Sequence, residues 1–125
     1  MKVTKVSEIY IGTDIIEVQR ISSLICKYNQ RFTNRIFTKS EIEYCQSKQK
    51  PEVHYSGIFA AKEAVYKAII ASSQKLFQNF KSIEVLQNTN GKPIVILHSY
   101  LKYRLDVSIS HTNSHAVAMA ICYKI

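Results

Sequence analysis

At 125 residues the chain has the length of one domain with a modest core, and 46% hydrophobic against 21% charged residues is an ordinary globular balance. No apolar run is long enough to span a membrane and no signal peptide is evident, so a cytoplasmic protein is expected, not a membrane one. Cys26, Cys45 and Cys122 are too few and too scattered for a disulfide framework or a zinc site, and the net charge of +8 points to an acidic partner (nucleic acid, anionic lipid, acidic protein or phosphorylated small molecule) without choosing among them.

Ser7 to Ile16, with Ile9, Ile11, Ile15 and Ile16, reads as a strand. Gly12 within it permits close approach of another backbone or a ligand. Asp14 amid isoleucines either caps the next helix or is a carboxylate that needs a partner. Val18 to Tyr28 is a helix whose apolar face is Val18, Ile21, Leu24, Ile25 and Tyr28, with Arg20 and Lys27 on the outer side. Arg31 to Phe37 interleaves basic and apolar residues, and Phe32, Ile36 and Phe37 suit either a core or a contact surface. Arg20, Arg31 and Arg35, three of the four arginines, form a local group of the kind that docks carboxylates or phosphates.

Thr38-Lys39-Ser40-Glu41 fits a capping box and opens a short helix through about Ser47. Gln46 to Pro51 is a polar loop, and Pro51 suits the first turn of a helix that fades near Ser72. That helix contains Phe59-Ala60-Ala61-Lys62-Glu63-Ala64-Val65-Tyr66-Lys67-Ala68. Ala60, Ala64 and Ala68 form one stripe, Ile58, Val65 and Ile69 a second, and Phe59, Tyr66 and Ile70 a third, so the helix is expected to be buried nearly all round. Glu63 and Lys67 are spaced for a surface ion pair. A carboxylate on a buried helix also fits a stronger partner, a metal or another charge.

From Lys81 the period alternates. Ser82 to Gln87 and Ile94 to Leu97 are strands joined by a turn at Asn88 to Pro93, where Asn90-Gly91 supplies positive φ angles. Tyr100 to Arg104 is expected to form one or two helical turns. Val107 to Ser110 and His115 to Tyr123 are strands joined by His111-Thr112-Asn113-Ser114. Helices cluster in the first half and strands in the second, which argues an α+β fold, helices packed on a mostly antiparallel sheet, in a single domain over residues 1–125.

Asp14 and Glu63, brought together, could hold Mg²⁺; Lys67 could neutralise a phosphate, and His111 with Ser110 and Thr112 lies at a strand end suited to phosphate contact. Metal-assisted phosphoryl-type transfer is one reading of these parts among several. A basic nucleic-acid-binding module is another, although the aromatic residues are not grouped as a stacking platform.

Four motifs in order then carry a resemblance: Ile11-Gly12-Thr13-Asp14-Ile15, Phe59-Ala60-Ala61-Lys62-Glu63-Ala64 with Lys67-Ala68, Asn90-Gly91-Lys92-Pro93, and Ser108-Ile109-Ser110-His111-Thr112. Over nearly the whole chain they resemble the holo-acyl-carrier-protein synthases, small single-copy 4′-phosphopantetheinyl transferases of fatty-acid biosynthesis. The resemblance implies Mg²⁺-dependent transfer of the phosphopantetheine arm of coenzyme A to a serine of acyl carrier protein, with release of adenosine 3′,5′-bisphosphate. It makes Asp14 and Glu63 the metal ligands and puts Lys67 and the segment Ser110, His111 and Thr112 at the phosphates. Asn90, Gly91, Lys92 and Pro93 match the loop beside the adenine. The base that takes the serine proton is left open between a water on the metal and one of the carboxylates. Arg20, Ile21, Arg31, Phe32 and Arg35 match the surface that docks the acidic carrier protein, and a homotrimer with sites at subunit boundaries is implied. Two departures stand near the expected coenzyme A site: Ile58 where the family usually has arginine, and Ile69-Ile70-Ala71-Ser72-Ser73 where it usually has a glycine-rich turn. They admit a degenerate member that binds the carrier protein without catalysis.

Overall fold

The computed structural model describes residues 8–72, 79–98 and 103–124. In chain order these form strand β1 (Ile9–Glu17), helices α1 (Val18–Tyr28), α2 (Gln30–Ile36), α3 (Lys39–Gln46) and α4 (Pro51–Ala71), a 3-10 turn (Phe80–Ser82), and strands β2 (Ile83–Gln87), β3 (Pro93–Leu97), β4 (Tyr103–His111) and β5 (His115–Lys124). The architecture is α+β, with the strands divided between two antiparallel sheets: β1-β5-β4, with β5 central, and the hairpin β2-β3. No helix among the described residues is long and apolar enough to cross a membrane.

The local signals explain most of these elements. Thr38 and Glu41 form the capping box, Glu41 N–H donating to Thr38 Oγ1 (3.3 Å) and Thr38 N–H to Glu41 Oε1 (2.8 Å). Pro51 opens α4, and the helix persists to Ala71, its second half carried by the alanine-rich run from Phe59 to Ala71, which holds no glycine or proline. The β2-β3 turn differs from the expected Asn-Gly hairpin: only Gly91 takes a positive φ, +78°. The turn is instead organised by Asn88, whose Oδ1 accepts from the backbone N–H groups of Asn90 and Lys92, both at 2.9 Å. The helical turns expected over Tyr100 to Arg104 are corrected where they can be seen. Tyr103 and Arg104 open β4, paired with Lys124 and Tyr123, because the alternation of Tyr103, Leu105 and Val107 toward the core is a strand period. Residues 100–102, and Ser7 at the expected start of β1, lie outside the described residues.

α4 crosses the inner face of the three-stranded sheet. The contact is made of small residues: Ala60, Ala64 and Ala68 on the helix and Ala116, Ala118 and Ala120 on β5, each with at most 1% of its surface exposed. Gly12 on β1 completes it. A Cβ there would overlap the Ala64 carbonyl oxygen and lie 2.8 Å from Ala68 N, so only glycine lets the two backbones touch.

On the opposite side of α4, Lys62 is fully buried and paired with the fully buried Glu41 at 2.7 Å. Lys62 Nζ also donates to the carbonyl oxygens of Ile36 (3.0 Å), Phe80 (2.8 Å) and Ile83 (2.7 Å), while Glu41 Oε2 accepts from Val85 N–H (2.8 Å). This pair ties the end of α2, the start of α3, the middle of α4 and the first strand of the hairpin to one point. Burial pulls the Lys62 ammonium below its usual range and Glu41 opposes that shift, so the charged pair stands only with every partner present. Lys62→Met, which leaves Glu41 buried and unpaired, is expected to destabilise the fold by about 3–5 kcal/mol in urea denaturation.

Candidate active site

The alternation of β1 decides which of its residues meet α4. Gly12, Asp14 and Ile16 face inward, and Ile9, Ile11, Thr13 and Ile15 face outward. Asp14, two residues beyond the backbone contact at Gly12, is therefore held against the helix at Lys67. Lys67 Nζ donates to Asp14 Oδ1 (3.3 Å) and to Thr13 O (3.0 Å). Lys67 thus pairs with Asp14, not with Glu63 one turn before it. Asp14 is not a helix cap either, since the N-cap of α1 is Glu17.

Glu63 is half-buried, and its carboxyl holds its proton above the usual carboxylate range. Burial is the first cause and the negative charge of Asp14 the second, with Lys67 and Arg20 acting in the opposite direction. Asp14 Oδ2 is buried and has no hydrogen-bond partner among the described residues. An orphaned carboxylate oxygen beside a second carboxylate is a donor set suited to a hard divalent cation. Among the described residues no group of three or more His, Cys, Asp or Glu side chains forms a metal cage. Two carboxylates suffice for Mg²⁺ when substrate phosphate oxygens and water complete its shell.

The other expected site residues separate into those the fold gathers and those it does not. Gly91, Pro93 and His111 line one cavity of ≈180 Å³, together with Tyr44, His54 and Ile58. Asn90 and Lys92 are exposed at the tip of the same turn. Ser110 does not join His111: neighbours on a strand face opposite ways, and Ser110 lies on the outer face of β4, opposite Val117. The Thr112 hydroxyl is occupied within its own turn, accepting from the N–H groups of Ser114 (3.2 Å) and His115 (3.1 Å). His54 and Tyr44 were not signalled as site residues. The available clue was that His54 stands one turn before Ile58, and so on its side of α4. From His54 to Glu63 is nine residues, about 14 Å of helix axis, so the cavity and the carboxylate pair occupy different parts of α4.

Arg31, Phe32 and Arg35 line an open groove with Leu24 and Tyr28 across α1 and α2. Arg20 is exposed and near enough to Glu63 to act on its carboxyl. Ile21, expected among the docking contacts, is corrected: it is 1% exposed and belongs to the core, because it falls on the inner stripe of α1.

Residues 10–122 match the family model of the 4′-phosphopantetheinyl transferase superfamily. The chain belongs to this superfamily. It is 44% identical to a holo-[acyl-carrier-protein] synthase of Protochlamydia amoebophila, over 89% of this chain and 94% of that one. It is 46% identical to one of Chlorobaculum parvum, over 89% and 95%. The fold also matches a crystal structure of a holo-(acyl-carrier-protein) synthase from Bacillus anthracis in complex with CoA (3′,5′-ADP), with a TM-score of 0.77, 32% identity, and coverage of 93% of this chain and 96% of that one. A Helicobacter pylori holo-[acyl-carrier-protein] synthase in complex with coenzyme A matches with a TM-score of 0.78, 28% identity, and coverage of 90% and 98%. Against the pattern expected of this transferase family, Ile58 is a buried cavity wall and α4 continues through Ile69 and Ile70 to Ala71.

The phosphopantetheinyl transferase fold here depends on Gly12. Gly12→Ala is expected to cost about 3 kcal/mol of stability in thermal or urea unfolding, because neither backbone can yield without moving β1 off α4.

Proposed function

We propose that this chain transfers the 4′-phosphopantetheine arm of coenzyme A to a serine hydroxyl of an acyl carrier protein in fatty-acid biosynthesis, with Mg²⁺ held by Asp14 and Glu63. The observation that carries the reading is the buried Asp14 Oδ2, without a partner among the described residues, beside Glu63 and Lys67. The names and coenzyme A complexes of the relatives agree with it. When bound, the metal would draw charge from the pyrophosphate and the leaving oxygen.

The chain's own residues supply the rest. Lys67, held by Thr13 O and Asp14, fixes a positive charge beside the carboxylates, where a pyrophosphate would lie. The serine proton passes to one of the two carboxylates or to water beside them. The serine oxygen then bonds to the phosphorus that carries the pantetheine arm. The bond from that phosphorus to the bridging oxygen breaks, and adenosine 3′,5′-bisphosphate leaves. The turn at Asn90 to Pro93 and the strand end at His111 are the nucleotide side of the site. Arg20 next to Glu63, and Arg31, Phe32 and Arg35 in the neighbouring groove, form the docking surface for an acidic carrier protein, steering its serine to the carboxylate pair.

A homotrimer goes with this reading. The outward face of β1 and β5 exposes Ile9, Ile11, Ile15, Val117 and Met119, with exposures from 43% to 64%. Register makes them contiguous, Ile15 beside Val117 and Ile11 beside Ile121. So much apolar surface on one sheet face is characteristic of an interface. A site shared between subunits would also bring the nucleotide cavity of one copy toward the carboxylate pair of the next. Ile11→Asp is expected to convert the trimer to monomer in sedimentation velocity; an unchanged trimer would exclude this face.

The direct test is intact-mass analysis of an apo acyl carrier protein after incubation with this protein, coenzyme A and Mg²⁺. A mass gain of one phosphopantetheine arm, abolished by a chelator, is expected. Glu63→Gln should lower the rate by about a hundredfold or more with the fold retained; near-normal turnover would remove Glu63 from the site.

A further inference from the structure

We propose that His54 is a substrate-binding residue, pairing with His111 to receive the 3′-phosphate of coenzyme A. The inference rests on the reading of the chain as a coenzyme A-dependent transferase and extends it to a residue on α4 that no motif marks. His54 and His111 come from different elements and meet with ring centroids 5.8 Å apart and planes at 65°. Tyr44 of α3 also packs edge-on with His54, at 5.7 Å and 85°. The imidazole thus contacts two other rings at the wall of the ≈180 Å³ cavity that Gly91 and Pro93 of the Asn90–Pro93 turn also line.

Charge selects the ligand. His54 and His111 are the only residues among those described lining this cavity that can carry positive charge, and no carboxylate lines it. Ile58, one turn after His54 on the same wall, offers no cation. Two imidazoles this close repel when both are protonated, and a phosphate seated against them removes that repulsion and accepts hydrogen bonds from both. Without ligand, burial is the main influence drawing the His54 pKa below the usual histidine value. His111 and Lys48, in the turn after α3, act in the same direction, Glu52 of α4 acts against them, and Tyr44 faces the ring without charge. Burial thus favours the neutral His54 ring in the free protein, so that seating a phosphate against it is coupled to uptake of a proton from solvent. Affinity should strengthen as pH falls from about 8 toward about 6.5, above the range where the phosphate itself becomes monoanionic.

Isothermal titration of the whole protein with coenzyme A and with 3′-dephospho-coenzyme A tests this, in wild type, His54→Ala, His54→Gln and His54→Arg. Wild type is expected to prefer coenzyme A by about tenfold or more, with the preference growing at the lower pH. His54→Ala and His54→Gln should lose most of that preference while binding the dephospho compound as wild type does, which also shows that the cavity is intact. His54→Arg should keep the preference and weaken its pH dependence, since a guanidinium does not titrate in this range and only His111 is left to do so. An unchanged preference in both His54→Ala and His54→Gln, or equal loss for both ligands, would overturn the role of His54 alone. A wild-type protein that binds neither compound would overturn the coenzyme A reading and this proposal together.

Discussion

The contact between Gly12 of β1 and the backbone of α4 at Ala64 and Ala68 is the constraint on which the candidate site depends. It is a steric condition, not an attractive interaction. With no Cβ at residue 12 and only methyl groups at Ala60, Ala64 and Ala68, strand and helix approach until their backbones touch. The closeness of the approach determines where Asp14 ends. Two residues along the same strand face, it meets Lys67 at 3.3 Å and lies within electrostatic reach of Glu63. A bulkier seam would hold strand and helix apart and leave two isolated carboxylates.

The Phe59 to Ala68 run serves two sides of the molecule. Lys62 and Glu63 are adjacent in sequence, so on a helix they point about 100° apart. Lys62 enters the interior and closes on Glu41 and three backbone carbonyls, while Glu63 reaches the half-buried edge beside Asp14. Glu41 caps α3, neutralises Lys62 and accepts from Val85. This network holds the helical half against the β2-β3 hairpin, which carries the turn at Asn90 to Pro93. A single short motif therefore contains a structural ion pair and a site carboxylate side by side.

The sheet is used in the same divided way. Its inner face presents Gly12, Asp14, the alanines of β5 and His111 to α4. Its outer face presents isoleucines, Val117 and Met119 on β1 and β5 and serines on β4. The isoleucines of β1 look like core residues in the sequence, yet Ile9, Ile11 and Ile15 are exposed in the single chain. Strand parity also separates Ser110 from His111, which a motif read as a string keeps together.

Local signals were sufficient for α1, α3 and α4, though not for α2 or the start of β4. The capping box at Thr38, Pro51 at the head of α4 and the period of α1 act within a few residues, and each element begins where its signal stands. The pattern of Asp14, Glu63, Lys67 and His111 was likewise legible in the sequence, because those residue types at those positions match one family. What tertiary structure alone decided was the partners. Lys67 turns to Asp14 and not to Glu63, Lys62 finds Glu41 across 21 positions of sequence, Ile21 is drawn inside, and His54 comes to lie against His111. Spacing along one chain states which residues can share a face of a helix or strand. Which face meets which, and at what distance, depends on the steric fit between elements far apart in sequence, and here Gly12 and the alanine stripe set that fit.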